Sequence, residues 1–198
     1  MNLPNKLTVA RIIATPVFMI AMLVSKIPLN YTVSLLLFVL ASLTDMLDGK
    51  IARGRGLVTN FGKFLDPVAD KMLTTAAFLG FMIIMPDESL KIQLTVITFI
   101  TLFREFTVSS VRLVVVSSEM KKVIPANIWG KLKTVTQMVS IILGLSAYSL
   151  REIGLLGDKV FGYAVYAFAV VAWASAVLCT VSGIIYLYES KEFIDSSK

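Results

Sequence analysis

Four aspartates stand close together in an otherwise apolar sequence: Asp45 and Asp48 are three positions apart, Asp66 and Asp70 four. On α-helices such spacings place each pair on one helical face. Gly62 shares the face of Asp66. If the two helices form an antiparallel hairpin across a short loop, the faces meet and four carboxylates converge near the membrane surface. Four anions in one place repel unless cations lie among them. A donor set of oxygens without histidine or cysteine favours magnesium, manganese or calcium over zinc. Two divalent cations would neutralise four carboxylates, and a two-metal centre can bridge a diphosphate and stabilise attacking and leaving oxygens together. Gly49 and Gly62 permit close backbone approach, and Ala52 keeps the interhelical surface small. Arg53, one turn beyond Gly49, is placed to clamp a phosphate. Taken singly, each aspartate reads as a cap or a solvated loop carboxylate. Taken together at membrane depth they read as functional, because charge is costly to keep in lipid.

The residue inventory narrows the chemistry further. The 198 residues include no histidine, which excludes Ser-His-Asp triads, His-ligated zinc and phosphohistidine intermediates. The single cysteine, Cys179, lies inside an apolar run and forms no intrachain disulfide. Catalysis must therefore rest on carboxylates and cations.

The elements that position these groups are membrane helices. Hydrophobic residues make up 57% of the chain, against roughly 45–50% in a soluble domain, and charged residues only 16%. Charge-flanked apolar runs predict six transmembrane helices, at Thr8–Ser25, Asn30–Arg53, Phe61–Met85, Lys91–Ser118, Asn127–Ser149 and Lys159–Ser190. The fold class expected is all-α, a multi-pass membrane protein forming one domain over 1–198, with 1–7 a short interfacial segment. Pro4 disfavours a helical conformation just before it, so the first helix is expected to begin near Thr8. The apolar stretch after Arg11 lacks a small-residue cleavage pattern and is followed by further spans; it reads as the first membrane helix, not a secretory signal. Lysines and arginines crowd the two termini, the 50s loop and the segment from Lys121 to Lys133, while the opposite loops carry only Lys26, Lys91, Arg151 and Lys159. By the positive-inside rule both termini and the aspartate end lie in the cytosol, in a cell (plasma) membrane protein. The net charge of +6 sits at the ends of apolar runs and not on one polar face, so membrane lipids and anionic substrates are the expected partners and nucleic acid is not. The many alanines of the last run favour close helix packing.

The stretch from Asp45 to Asp70 resembles, residue for residue, the signature of the CDP-alcohol phosphotransferase family, D-x2-D-G-x2-A-R-x8-G-x3-D-x3-D. The resemblance implies a six-helix membrane fold, usually a homodimer, that moves a phosphoalcohol group from a CDP-linked donor to an alcohol and releases CMP. It implies that Asp45, Asp48, Asp66 and Asp70 hold two divalent cations, Mg2+ or Mn2+, with Asp70 as the base. Three further segments are similar to the branch of the family whose donor is CDP-diacylglycerol and whose acceptor is glycerol 3-phosphate: Asn2 to Arg11, Arg104-Glu105-Phe106 with Arg112, and Gly130 to Thr134 with Gln137. Inositol phosphate, serine and phosphatidylglycerol are alternative acceptors within the family.

A small dianion such as glycerol 3-phosphate needs a cationic pocket. Arg104 and Arg112 lie in an apolar helix, and Lys131 and Lys133 open the next one. Arg104 has a second reading as the partner of Glu105, since buried charges are normally paired. Lys131 and Lys133 also fit ordinary positive-inside flanks. A lipid donor must enter sideways from the bilayer, and Thr8, Arg11 and Thr44 are placed to line the headgroup end of its groove. The rival class is ion- or proton-coupled transport, which intramembrane charges also mark. Clustering of the aspartates at one membrane face, and the absence of an inverted repeat, argue against it.

Overall fold

The apolar runs fold as helices whose ends are set by local capping. A computed structural model describes the backbone over 3–54, 60–117 and 128–195, and side chains over 5–45, 65, 68–69, 71–113 and 128–191. It contains α1 (Leu3–Leu23), α2 (Asn30–Gly54), α3 (Asn60–Ile84), α4 (Glu88–Ser117), α5 (Ile128–Glu152) and α6 (Asp158–Asp195), with no strand among the described residues. The fold is the expected all-α one. Its helix ends differ from the expected ones where a cap or a charged extension outweighs hydropathy. The first helix starts at Leu3, not near Thr8, because Pro4 occupies the first turn, where no backbone N–H is required. Asp87 caps α4, accepting a hydrogen bond from the Leu90 amide at 2.8 Å. The last helix runs on through Glu189, Lys191 and Asp195, since loss of hydropathy ends a span without ending a helix.

Tight connections at 24–29, 85–87 and 153–157 make antiparallel hairpins of α1–α2, α3–α4 and α5–α6. In the last of these Gly154 adopts φ 76°, the left-handed conformation that glycine enters without penalty. The Leu155 amide donates to the Leu150 carbonyl at 2.9 Å and the Gly154 amide to that of Arg151 at 3.0 Å, a Schellman termination of α5. The same end of the bundle is tied across the chain. Glu152 of α5 accepts hydrogen bonds from the Thr32 amide at 3.2 Å and its hydroxyl at 3.3 Å, capping the amino end of α2.

The core gathers Phe18, Phe38, Phe78, Phe81, Leu94, Ile141, Leu145 and Phe168. Phe81 and Phe168 approach to 4.5 Å between ring centroids over Gly144, where a Cβ would come within 2.6 Å of Phe81. Buried Ala169, Ala172, Ser175 and Ala176 let α6 pack closely on α4 and α5. Several hydroxyls are satisfied within their own helices: Ser34 donates to the Asn30 carbonyl at 2.7 Å and Thr98 to that of Leu94 at 2.7 Å. That economy suits a medium without water.

The outer surface is apolar. Ile13, Ile20, Leu36, Leu40, Phe99, Phe103, Val170 and Ile184 face outward on four helices, more exposed apolar surface than a soluble monomer carries. Among the described residues, Asn5–Leu23, Glu88–Leu113 and Asp158–Lys191 are each long and apolar enough to cross a membrane, with shorter apolar helices at Asn30–Asp45 and Lys71–Ile84. The chain is an all-α polytopic membrane protein.

Candidate active site

Polar chemistry collects at the end of the bundle opposite the tight hairpin turns. There the beginnings of α1, α3 and α5 meet the later parts of α2, α4 and α6. α1 packs on both α2 and α3, and this contact brings Arg11 onto Asp45 as an ion pair. The Arg11 side chain is 1% exposed and that of Asp45 28%, so the carboxylate keeps an open side. Thr8 is buried three positions before Arg11 on α1. Thr44 is half-buried and donates its hydroxyl to the Ala41 carbonyl at 2.8 Å. Asp48, Gly49, Ala52 and Arg53 belong to the last turns of α2, and Gly62, Asp66 and Asp70 to the first half of α3. The side-chain arrangement expected for these seven lies outside the described residues.

The cationic residues surround a cavity of about 600 Å³. Helical periodicity explains its walls. Lys71, Thr74 and Thr75 come from α3; Thr101, Arg104, Glu105, Val108 and Arg112 form a stripe on α4; Gly130, Lys131, Lys133, Thr134, Gln137 and Met138 line the α5 side; Ser182 and Tyr186 close it from α6. All four residues expected in a cationic pocket therefore reach one cavity. They differ in environment. Lys133 is buried, whereas Lys131, two positions away and turned to another side of α5, is exposed; Arg112 is exposed at the rim.

Glu105 is the centre of the charged wall. Its Oε1 takes Lys133 and, at 2.9 Å, the Arg104 guanidinium, and its Oε2 lies 3.5 Å from Lys71 Nζ. Lys71 also donates to the Glu105 carbonyl at 3.4 Å and to the Ser109 hydroxyl. Arg104 donates from Nη2 to Ser182 Oγ at 2.6 Å. Arg104 thus has its paired role, and it still faces the cavity. Arg104 Nε and Gln137 Nε2 are buried without a hydrogen-bond partner among the described residues, leaving donor capacity in two cavity-lining side chains. The sequence offers Glu105 only as the neighbour that Arg104 could pair with, and it does not mark Lys71 as part of the pocket. An acid inside an apolar helix was the available sign that more converged there.

The fold and this site define a polytopic helical membrane protein with Asp45 and a cavity lined by basic side chains at one end. A model of the CDP-alcohol phosphatidyltransferase family matches residues 1–181, and the chain belongs to that family. It is similar to the protein of Bacillus subtilis (strain 168) named CDP-diacylglycerol--glycerol-3-phosphate 3-phosphatidyltransferase, at 38% identity over 99% of this chain and 98% of that one. A Rickettsia bellii protein of the same name is 35% identical over 97% of each chain. One from Haemophilus influenzae, again so named, is 34% identical over 71% of this chain and 73% of its own length.

Proposed function

We propose that this chain transfers the phosphatidyl group of CDP-diacylglycerol to glycerol 3-phosphate, giving phosphatidylglycerol phosphate and CMP in phospholipid biosynthesis. The observation that carries the reading is the cavity lined by Arg104, Arg112, Lys131 and Lys133, at the same end of the bundle as Asp45. A phosphomonoester dianion is the ligand for which such a wall is suited. Full-length similarity to relatives named for this reaction supports the same acceptor.

The aspartate signature supports a centre in which Asp45, Asp48, Asp66 and Asp70 would hold two divalent cations. Its donors are hard carboxylate oxygens, and the Asp45 carboxylate, with one side on Arg11 and the other open, fits that role and magnesium or manganese. Such cations, when bound, would coordinate diphosphate oxygens and stabilise both the attacking and leaving oxygens. Arg112 and Lys131 fix the acceptor phosphate from the rim. Asp70 takes the proton of the attacking glycerol hydroxyl. That oxygen forms its bond to the phosphorus bearing diacylglycerol as the bond to CMP breaks, in one direct transfer, since the chain has no histidine to carry the group. Thr8, Arg11, Thr44, Gly49, Ala52, Arg53 and Gly62 are proposed to flank the donor's cytidine diphosphate. We read 1–198 as one domain, its segment 1–7 at the membrane interface, working as a homodimer among membrane lipids. The active site and both termini face the cytosol of the plasma membrane.

CMP release from CDP-diacylglycerol by the purified chain in detergent, compared across glycerol 3-phosphate, serine, inositol phosphate and phosphatidylglycerol, tests the assignment. Release that depends on glycerol 3-phosphate alone is expected; equal or greater release with another acceptor overturns it.

A further inference from the structure

We infer that Glu105 is the positioning residue of the acceptor pocket, holding the cations of three helices in the arrangement that receives a phosphomonoester. The inference rests on the acceptor reading above and adds to it a residue outside the aspartate signature. Lys71 from α3, Arg104 from α4 and Lys133 from α5 all converge on this one carboxylate, with Lys133 and Arg104 on Oε1 and Lys71 on Oε2. Without it, three like charges in a partly buried cavity would repel and swing toward water. With it, the four groups keep a net charge of two positive, which matches a phosphate monoester dianion. Arg112 and Lys131, which make no ion pair among the described residues, add the exposed rim.

Two features show that this wall is built and not incidental. Lys71 directly follows Asp70 in the sequence, so its bond to Glu105 fixes the register of the aspartate-bearing helix against the cationic wall. Arg104 is held from its other side by α6: Ser182 Oγ accepts from Nη2 at 2.6 Å, and the arginine stem crosses Gly183, where a Cβ would come within 2.9 Å of its Cγ. Gly183 thus supplies a notch that only a residue without a side chain leaves open.

The test compares steady-state kinetics of the full chain in detergent, with saturating divalent metal, for wild type, Glu105→Gln and Gly183→Ala, varying CDP-diacylglycerol and glycerol 3-phosphate in turn. Loss of an aimed, charge-assisted donor predicts a rise in the acceptor KM of about tenfold in both variants. The donor KM and the kcat at saturating acceptor should stay within about twofold, a split that general destabilisation would not produce. Gly183→Ala moves Arg104 without altering charge, and decides the matter if Glu105→Gln does not fold. An unchanged acceptor KM, or a parallel rise in both KM values, overturns the positioning role. Wild-type turnover that ignores glycerol 3-phosphate overturns the acceptor reading and this inference together, whereas acceptor-dependent turnover with unshifted variants overturns this inference alone.

Discussion

Arg11 of α1 and Asp45 of α2 form an ion pair in which the guanidinium is buried and the carboxylate keeps one side open. The pair fixes the first aspartate of the signature to a helix outside the signature. Arg11→Ala should lower stability by about 1–3 kcal/mol, less than for a fully buried pair because Asp45 retains access to solvent. Arg11→Lys should recover only part of it, lacking the planar fork. Thermal unfolding in detergent checks both, and an unshifted midpoint for Arg11→Ala would show the pair to be structurally idle.

Activity is expected to require added divalent metal. Asp45→Asn, Asp48→Asn and Asp66→Asn should each reduce turnover by orders of magnitude. Undiminished CMP release in excess chelator would remove the basis for a metal centre.

Asp70→Asn separates proton transfer from binding. The amide keeps the side chain's shape but cannot take a proton. Ligand-dependent thermal stabilisation by CDP-diacylglycerol with metal should persist, while single-turnover CMP release falls by roughly 10²–10⁴-fold, the usual contribution of a general base. If stabilisation vanishes together with turnover, the variant has lost its metal site and the base assignment has no support.

At the rim of the cavity, Arg112→Ala and Lys131→Ala should raise the KM for glycerol 3-phosphate by about ten- to a hundredfold, the equivalent of roughly 1.5–3 kcal/mol, with a smaller effect on the donor. Wild-type acceptor saturation in both variants would move the phosphate site elsewhere.

Gly144→Ala inserts a methyl group against Phe81 and Phe168. Overpacking at such a contact costs about 1–3 kcal/mol. A lower unfolding midpoint with the acceptor KM retained is expected, and an unchanged midpoint would mean that the two rings yield freely.

The aspartate signature and the helical class were legible in the sequence because both are local: spacing fixes a helical face, and hydropathy fixes a span. Helix ends were less so. Pro4 inside the first turn, Asp87 as a cap and the charged tail of α6 each depend on backbone hydrogen bonding and not on hydropathy. Arg104, Arg112, Lys131 and Lys133 could be picked out as cations, but not sorted. That Lys133 is buried on Glu105 while Lys131 lies open follows from the rotation of α5 on α6, which turns Lys133 toward α4, and the role of Lys71 follows from the packing of α3 on α4. Neither relation is written in any single segment.

The bond from Thr32 to Glu152 spans 120 residues of chain, and it bears on how the protein is made. As the first hairpin leaves the ribosome and enters the bilayer, the amino end of α2 has no closing carboxylate, and it waits for the whole of α5 to be synthesised. A nascent chain halted after α4 would already carry all four aspartates but would lack this clasp. Its turn at 24–29 is expected to stay open to protease until the fifth helix arrives, while the cavity at the opposite end waits longer still, for Ser182 and Tyr186 of the sixth.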